Sequence, residues 1–223
     1  MPLLLTWLLL ACSNNPPAET QPEPEPEVSQ LERVIVGCKE GAAEACVGLG
    51  LYYAPDGEEP DPEKSRTYLT RACDLDHGPA CASAGARVLE RMPSDAKAAR
   101  ALFEKGCVLD DATSCFNFGR ALADEADPEP MEAAYTKACD ASQAQACANL
   151  AVHLHEGPRK HPERAHAAAD RACGLGIGLA CAIQATYYRT GEVVAVDAER
   201  ATSLETQACT LGHQESCSPD HLQ

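Results

Sequence analysis

Ala72-Cys73-Asp74-Leu75-Asp76-His77-Gly78-Pro79-Ala80-Cys81 places two cysteines eight positions apart, each behind a small residue. The same unit occurs six times in the 223-residue chain, as Cys38/Cys46, Cys73/Cys81, Cys107/Cys115, Cys139/Cys147, Cys173/Cys181 and Cys209/Cys217. First cysteines follow one another at intervals of 35, 34, 32, 34 and 36 residues. A period of this length marks a repeat array, in which each supersecondary unit buries its apolar face only against its neighbours.

The spacing also carries geometry. On one continuous helix, residues eight apart are separated by about 12 Å, at about 1.5 Å of rise each. A disulfide needs Cα atoms within about 7 Å, so bridged pairs require a turn between them. Breakers stand there: Gly41, Gly78, Gly174, Gly176 and Gly212, with Asp110-Asp111 and Ser142 in the other two units. The first cysteine is therefore expected to close one helix and the second to lie in the first turns of the next. Six identical spacings argue against twelve independent buried cysteines. Zinc is disfavoured because no Cys-x-x-Cys occurs, the close ligand pair that structural zinc sites use.

Outward from the array, the chain opens with Met1-Pro2-Leu3-Leu4-Leu5-Thr6-Trp7-Leu8-Leu9-Leu10-Ala11-Cys12. The run is shorter than the about 20 residues a bilayer span takes and reads as a secretion signal. Leu9-Leu10-Ala11-Cys12 resembles a bacterial lipobox, with Cys12 as the acylated residue and the one cysteine outside the pairs. Residues 1–12 are expected to be a lipoprotein signal peptide. Residues 13–28, rich in Pro and Glu, form a disordered linker too poor in apolar groups to bury a core. Residues 29–217 form the repeat domain, and 218–223 a tail. Ser13 after the lipid-bearing cysteine suggests the outer membrane, on the periplasmic side of the envelope. That compartment also suits six disulfides.

A formal charge of -16 speaks against nucleic acid and against electrostatic docking on anionic lipid. Membrane attachment is expected through the lipid anchor alone. Aromatic content is 4%, which suits close-packed helices with small contact residues rather than a β-sandwich.

After each second cysteine comes an amphipathic helix, here helix A, of which the tail from His213 offers only a stub locked down by Cys217. Its fourth residue beyond the cysteine is small: Gly50, Gly85, Gly119, Ala151 and Ala185. Its seventh is apolar: Tyr53, Val88, Leu122, Leu154 and Tyr188. Offsets of four and seven keep both on the cysteine's face. After a Pro- or Gly-marked connection, helix B opens with Asp61-Pro62-Glu63, Ser94-Asp95, Pro128-Glu129, Pro162-Glu163 or Asp197-Ala198-Glu199, as caps and first turns favour. The pattern predicts an all-α chain, an α/α solenoid of about five helical hairpins between residues 42 and 210. Residues 29–38 supply a leading helix of the B type.

Ala45-Cys46-x-x-Leu49-Gly50-x-x-Tyr53-x-x-x-Gly57 and Asp61-x-x-Lys64-x-x-x-Tyr68-Leu69-x-Arg71-Ala72-Cys73 resemble the Sel1-like repeat family, in its cysteine-rich, Helicobacter cysteine-rich protein-like branch. The resemblance covers nearly all of residues 30–217. Plain tetratricopeptide (TPR) repeats are the alternative fold, but they lack the disulfides. The resemblance implies two functions. One is protein or peptide capture in a concave groove. The other is binding or slow hydrolysis of β-lactams, as described for members of this branch. Mitochondrial intermembrane-space members also exist, a location the lipobox argues against.

For β-lactam chemistry the candidates are Ser94 and Lys97, the one Ser-x-x-Lys in the chain, in which the lysine would activate the serine. The companion Ser-Asp-Asn and Lys-Thr-Gly motifs are absent, and Ser94 reads first as a helix N-cap. His153, His155, His161 and His166 cluster in sequence, but His153 and His155 face different directions on a helix. No metal or cofactor is expected.

The concave surface is therefore the expected working part. Placing helix A on the geometry of the resembling repeats points Val47, Leu51, Phe116, Arg120, Val152, His155, Thr186 and Arg189 inward. A monomer that captures a protein or peptide ligand is expected. Charge reversal at Arg120 and Arg189 should then leave stability unchanged.

Overall fold

A computed structural model describes residues 29–91, 95–157 and 160–218. The expected leader, the expected linker, Cys12 with its expected lipid, Ser94 and all of the tail but Ser218 lie outside these residues. The described residues form eleven α-helices: α1 (Gln30–Lys39), α2 (Ala43–Tyr52), α3 (Pro62–Asp74), α4 (Gly78–Arg91), α5 (Ala96–Val108), α6 (Ala112–Ala121), α7 (Glu129–Asp140), α8 (Ala144–Glu156), α9 (Pro162–Gly174), α10 (Gly178–Thr190) and α11 (Ala198–Thr210). A 3₁₀ turn, Gln214–Cys217, follows. Each helix packs on the next, and α4–α6 and α8–α10 also touch. The result is a solenoid of five hairpins, α2–α3 to α10–α11, led by α1, which is a helix of the B type.

Six disulfides join Cys38 to Cys46, Cys73 to Cys81, Cys107 to Cys115, Cys139 to Cys147, Cys173 to Cys181 and Cys209 to Cys217, with Cα atoms 4.3 to 4.9 Å apart. Every first cysteine is the penultimate residue of a B helix. Cys46, Cys81, Cys115, Cys147 and Cys181 lie in the first turns of the A helices, as expected. Each is the fourth residue of its helix, one full turn in. Cys217 ends a 3₁₀ turn, which is the short stub expected in place of a full helix A. Depth in the helix carries the sulfur into the core: Cys46, Cys81, Cys115, Cys147 and Cys181 are fully buried, whereas Cys209 and Cys217 are half-buried at the end of the array. The five inner bridges are thus packing elements of the solenoid and present no sulfur to a ligand.

One backbone device makes this approach possible. The third residue after each first cysteine is left-handed: Gly41, Asp76, Asp110, Ser142, Gly176 and Gly212. Its amide donates to the carbonyl of the first cysteine, and the next amide donates to the carbonyl of the residue before that cysteine. These are the paired bonds of a Schellman helix end. The breakers expected from composition are thus partly reassigned. In the second unit Asp76 turns the chain, whereas Gly78 starts α4 where a Cβ would lie 3.0 Å from that of Asp111. Gly174 is the last residue of α9.

Inside each hairpin, residue sizes interlock. A Cβ on Gly50, Gly85 or Gly119 would meet Leu69 at 2.6 Å, Phe103 at 2.4 Å or Tyr135 at 2.7 Å. Those partners stand four residues before the first cysteine. Where helix A carries Ala151 instead, that position is Ala169, and both are buried. The large side chains of these partners, seated against the helix A backbone, are why the fourth residue stays small there. Asp61, Asp111 and Asp197 accept first-turn amides at the starts of α3, α6 and α11, and Ser29 and Glu32 form a capping box on α1. Pro130 fits the start of α7 because it lies in the first turn, where an amide has no helical partner.

Candidate functional site

The A helices supply the surface on which a ligand groove was expected, and its eight candidate residues divide. Leu51 is 59% exposed and lines a shallow cavity with Gly48, Tyr52 and Glu58. The exposed Arg120 lays its guanidinium over the Phe116 ring, 5.7 Å from the centroid. Val47, Phe116 and Val152 are half-buried and pack on the core. The Thr186 hydroxyl donates to the Ala182 carbonyl at 3.2 Å. His155 Nδ1 lies 2.9 Å from the Tyr187 hydroxyl, tying α8 to α10. Arg189 is ion-paired with Glu205 of α11, a buried carboxylate 5% exposed. Arg189 therefore also serves packing, so the expectation that its reversal leaves stability unchanged does not survive. A reversed charge there would leave Glu205 facing another carboxylate.

Between α4, the first turns of α5 and the end of α6 lies an open cavity of about 580 Å³. Leu89, Ala99, Phe103 and Ala121 form its apolar floor, and Lys97, Arg100 and Arg120 bring cations to its wall. Arg100 Nη1 meets Glu125 Oε1 at 2.6 Å with both side chains substantially exposed. Such a pair contributes at most about 1 kcal/mol and exchanges readily. The site can therefore hold an apolar group with an anionic neighbour. It brings together Arg120 and Lys97, which the sequence suggested for two different functions. Asp95 stands at the N-cap of α5 without a side-chain bond.

The histidines do not gather as one cluster: His155 and His166 share the Tyr187 ring, whereas His153 engages Glu132. His153 Nε2 stands 3.3 Å from Glu132 Oε1, whose other oxygen accepts from Arg164 at 2.8 Å. His166 packs edge-on against Tyr187 and Tyr188, with centroids 5.6 and 5.9 Å away, and His161 is exposed at the start of α9. Burial pushes the Tyr187 hydroxyl up to about 12. Among the described residues no group of three or more His, Cys, Asp or Glu is placed to hold a metal. No described helix is long and apolar enough to cross a membrane.

Sequence reasoning missed a ladder of cations. Arg71, Lys105, Lys137 and Arg171 all stand two residues before a first cysteine. Arg71 donates to the carbonyls of Cys38 and Lys39, Lys137 to that of Cys107 and Arg171 to that of Cys139. Lys105 lies 3.5 Å from Asp74 and Asp76. Each cation thus sits at the carbonyl end of the preceding B helix, where the helix dipole favours it. Their common register was the available clue.

No protein-family model matches the chain. Over 165 residues it is 31% identical to cytochrome c oxidase assembly factor 7 of Xenopus tropicalis, covering 67% of this chain and 71% of that protein. The crystal structure of a Sel1 repeat protein from Oxalobacter formigenes superposes with a TM-score of 0.66 at 18% identity, over 83% of this chain and 56% of that one. The chain thus spans little more than half of that solved relative. YrrB, a TPR protein with an unusual peptide-binding site, superposes with a TM-score of 0.54 at 14% identity, over 84% and 96%. These two likenesses concern the fold.

Proposed function

The chain belongs to the cysteine-rich Sel1-like repeat family, with cytochrome c oxidase assembly factor 7 among its relatives, and from that premise we propose that it is a non-catalytic scaffold that holds a protein segment on its A-helix surface. The observation carrying this reading is the open, mixed apolar and cationic cavity between α4, α5 and α6, set in a rigid disulfide-bonded array. The name of the Xenopus relative supports extending the role to assembly, with the captured segment belonging to a subunit not yet in its complex. We place the scaffold on the periplasmic side of the envelope, tethered through Cys12, on the strength of Leu9-Leu10-Ala11-Cys12.

A photo-crosslinking side chain at Leu51 or Arg120 tests the scaffold. Discrete protein adducts are expected from these positions and not from Val108, which at 72% is more exposed than Leu51. Equal labelling from all three positions would show that exposure alone governs capture and would remove the reading.

A further inference from the structure

The cavity between α4, α5 and α6 has a filled counterpart two repeats later. At α8–α10 the ring of Tyr187, 0% exposed, is clasped by His155 at 5.2 Å and His166 at 5.6 Å between centroids. Counted from the cysteines, His155, His166 and Tyr187 correspond to Leu89, Arg100 and Ala121. Those three residues line the cavity of about 580 Å³. The residue six positions after the second cysteine is Tyr52, Arg87, His153 or Tyr187 in the other A helices. Ala121 alone is small, and it leaves the space empty that a ring occupies two repeats on.

Charge narrows what fits. In a chain of net charge -16, three cations, Lys97, Arg100 and Arg120, and one acid, Glu125, line this wall. We infer that the cavity is a socket for an aromatic side chain supplied by a partner protein, on an extended segment with Asp or Glu beside that residue. The ring replaces the one Ala121 lacks and rests on Leu89 and Phe103. The flanking carboxylates meet Arg120 and Lys97 and compete with Glu125 for Arg100. This inference rests on the scaffold reading above and names the chemistry that the scaffold accepts.

The test is an NMR titration of the full chain with the blocked peptide Ac-Gly-Glu-Tyr-Glu-Gly-NH₂, beside Ac-Gly-Lys-Tyr-Lys-Gly-NH₂ and Ac-Gly-Glu-Ala-Glu-Gly-NH₂. Shifts are expected at Leu89, Ala99 and Ala121, with each control peptide binding roughly ten-fold more weakly, a loss of about 1.4 kcal/mol. Ala121→Tyr should abolish the shifts by filling the socket from within. Arg120→Glu, at an exposed position, should weaken binding and serves if the first variant fails to fold. Equal binding of the lysine peptide, or unchanged binding by folded Ala121→Tyr, would overturn the socket. So would sedimentation showing a dimer that Ala121→Tyr dissociates, since the occupant would then be a second copy of this chain. Site-specific crosslinks from Leu51 in an unaltered chain that shows no shifts with the Glu-Tyr-Glu peptide would leave the scaffold standing and remove the socket. Absence of site-specific crosslinks in the unaltered chain would remove the scaffold instead.

Discussion

Arg171 on α9 reaches back thirty-two residues to donate through Nη2 to the carbonyl of Cys139 at 2.9 Å, across the junction between two repeats. Its other arm meets Asp140, so one side chain closes the carbonyl end of α7 and fixes the neighbouring helix against it. Arg171→Met is expected to lower stability by about 1 kcal/mol, the usual net worth of such a hydrogen bond. Asp140→Ala should cost less, because both members of that pair are exposed and exposed pairs contribute little. Urea unfolding of the two variants measures the difference.

All six bridges close loops of the same length, and reduction is expected to loosen the whole array. Each nine-residue loop contributes about 2.5 kcal/mol in the chain-entropy model. Nonreducing peptide mapping should recover only pairs eight apart, and circular dichroism in excess reductant should show a loss of helicity. Cys115, Cys147 and Cys181 are fully buried, so counting of free thiols must accompany the spectrum to show that the inner bridges have opened. A native spectrum with all twelve thiols free would mean that the alanine-rich packing suffices alone.

The two arginines of the A-helix surface should behave oppositely. Arg120→Glu is expected to change stability by no more than about 0.5 kcal/mol, as exposed substitutions do. Arg189→Glu should cost about 3 kcal/mol, because it strips a buried carboxylate, Glu205, of its partner. Adding Glu205→Gln should recover much of that loss. Thermal melts of the three variants decide the matter.

Tyr187 should give the fold an alkaline edge. Burial, foremost, and the negative charges of Glu192 and Glu163 hold its phenol neutral up to about 12, whereas a tyrosine in the unfolded chain ionises near pH 10. The native state thus keeps a proton that the unfolded state releases. The associated stability is complete below about pH 10 and declines as pH rises from there toward 12. In a spectrophotometric titration Tyr187→Phe should remove the latest-ionising step, and its melting temperature should fall less steeply over that window.

Cys12 stands outside the paired cysteines, and Cys12→Ala is expected to move the protein from the membrane fraction to the soluble one with its helicity intact. Two or three acyl chains anchor stably where one is marginal, so partial release of the unaltered protein would point to incomplete acylation. Unchanged fractionation would remove the lipid anchor from the proposal.

The sequence by itself determined the hairpins, their order and the disulfide pairing, because each depends on residues within one period. A cysteine, a left-handed residue three positions later and a second cysteine at eight complete their geometry locally, and the small residue at four follows from the helix packed directly upon it. Even there Asp76 took the turn that composition assigned to Gly78, since aspartate also tolerates a left-handed backbone. Only the tertiary structure decided which of the candidate groove residues are open and which are engaged. Arg189 finds Glu205 sixteen residues on, across its own hairpin, and His155 finds Tyr187 thirty-two residues on, in the hairpin stacked next to it. The vacancy at Ala121 is of the same kind. Its alanine is unremarkable in a helix, and it becomes a cavity only where α4, α5 and α6 meet around it.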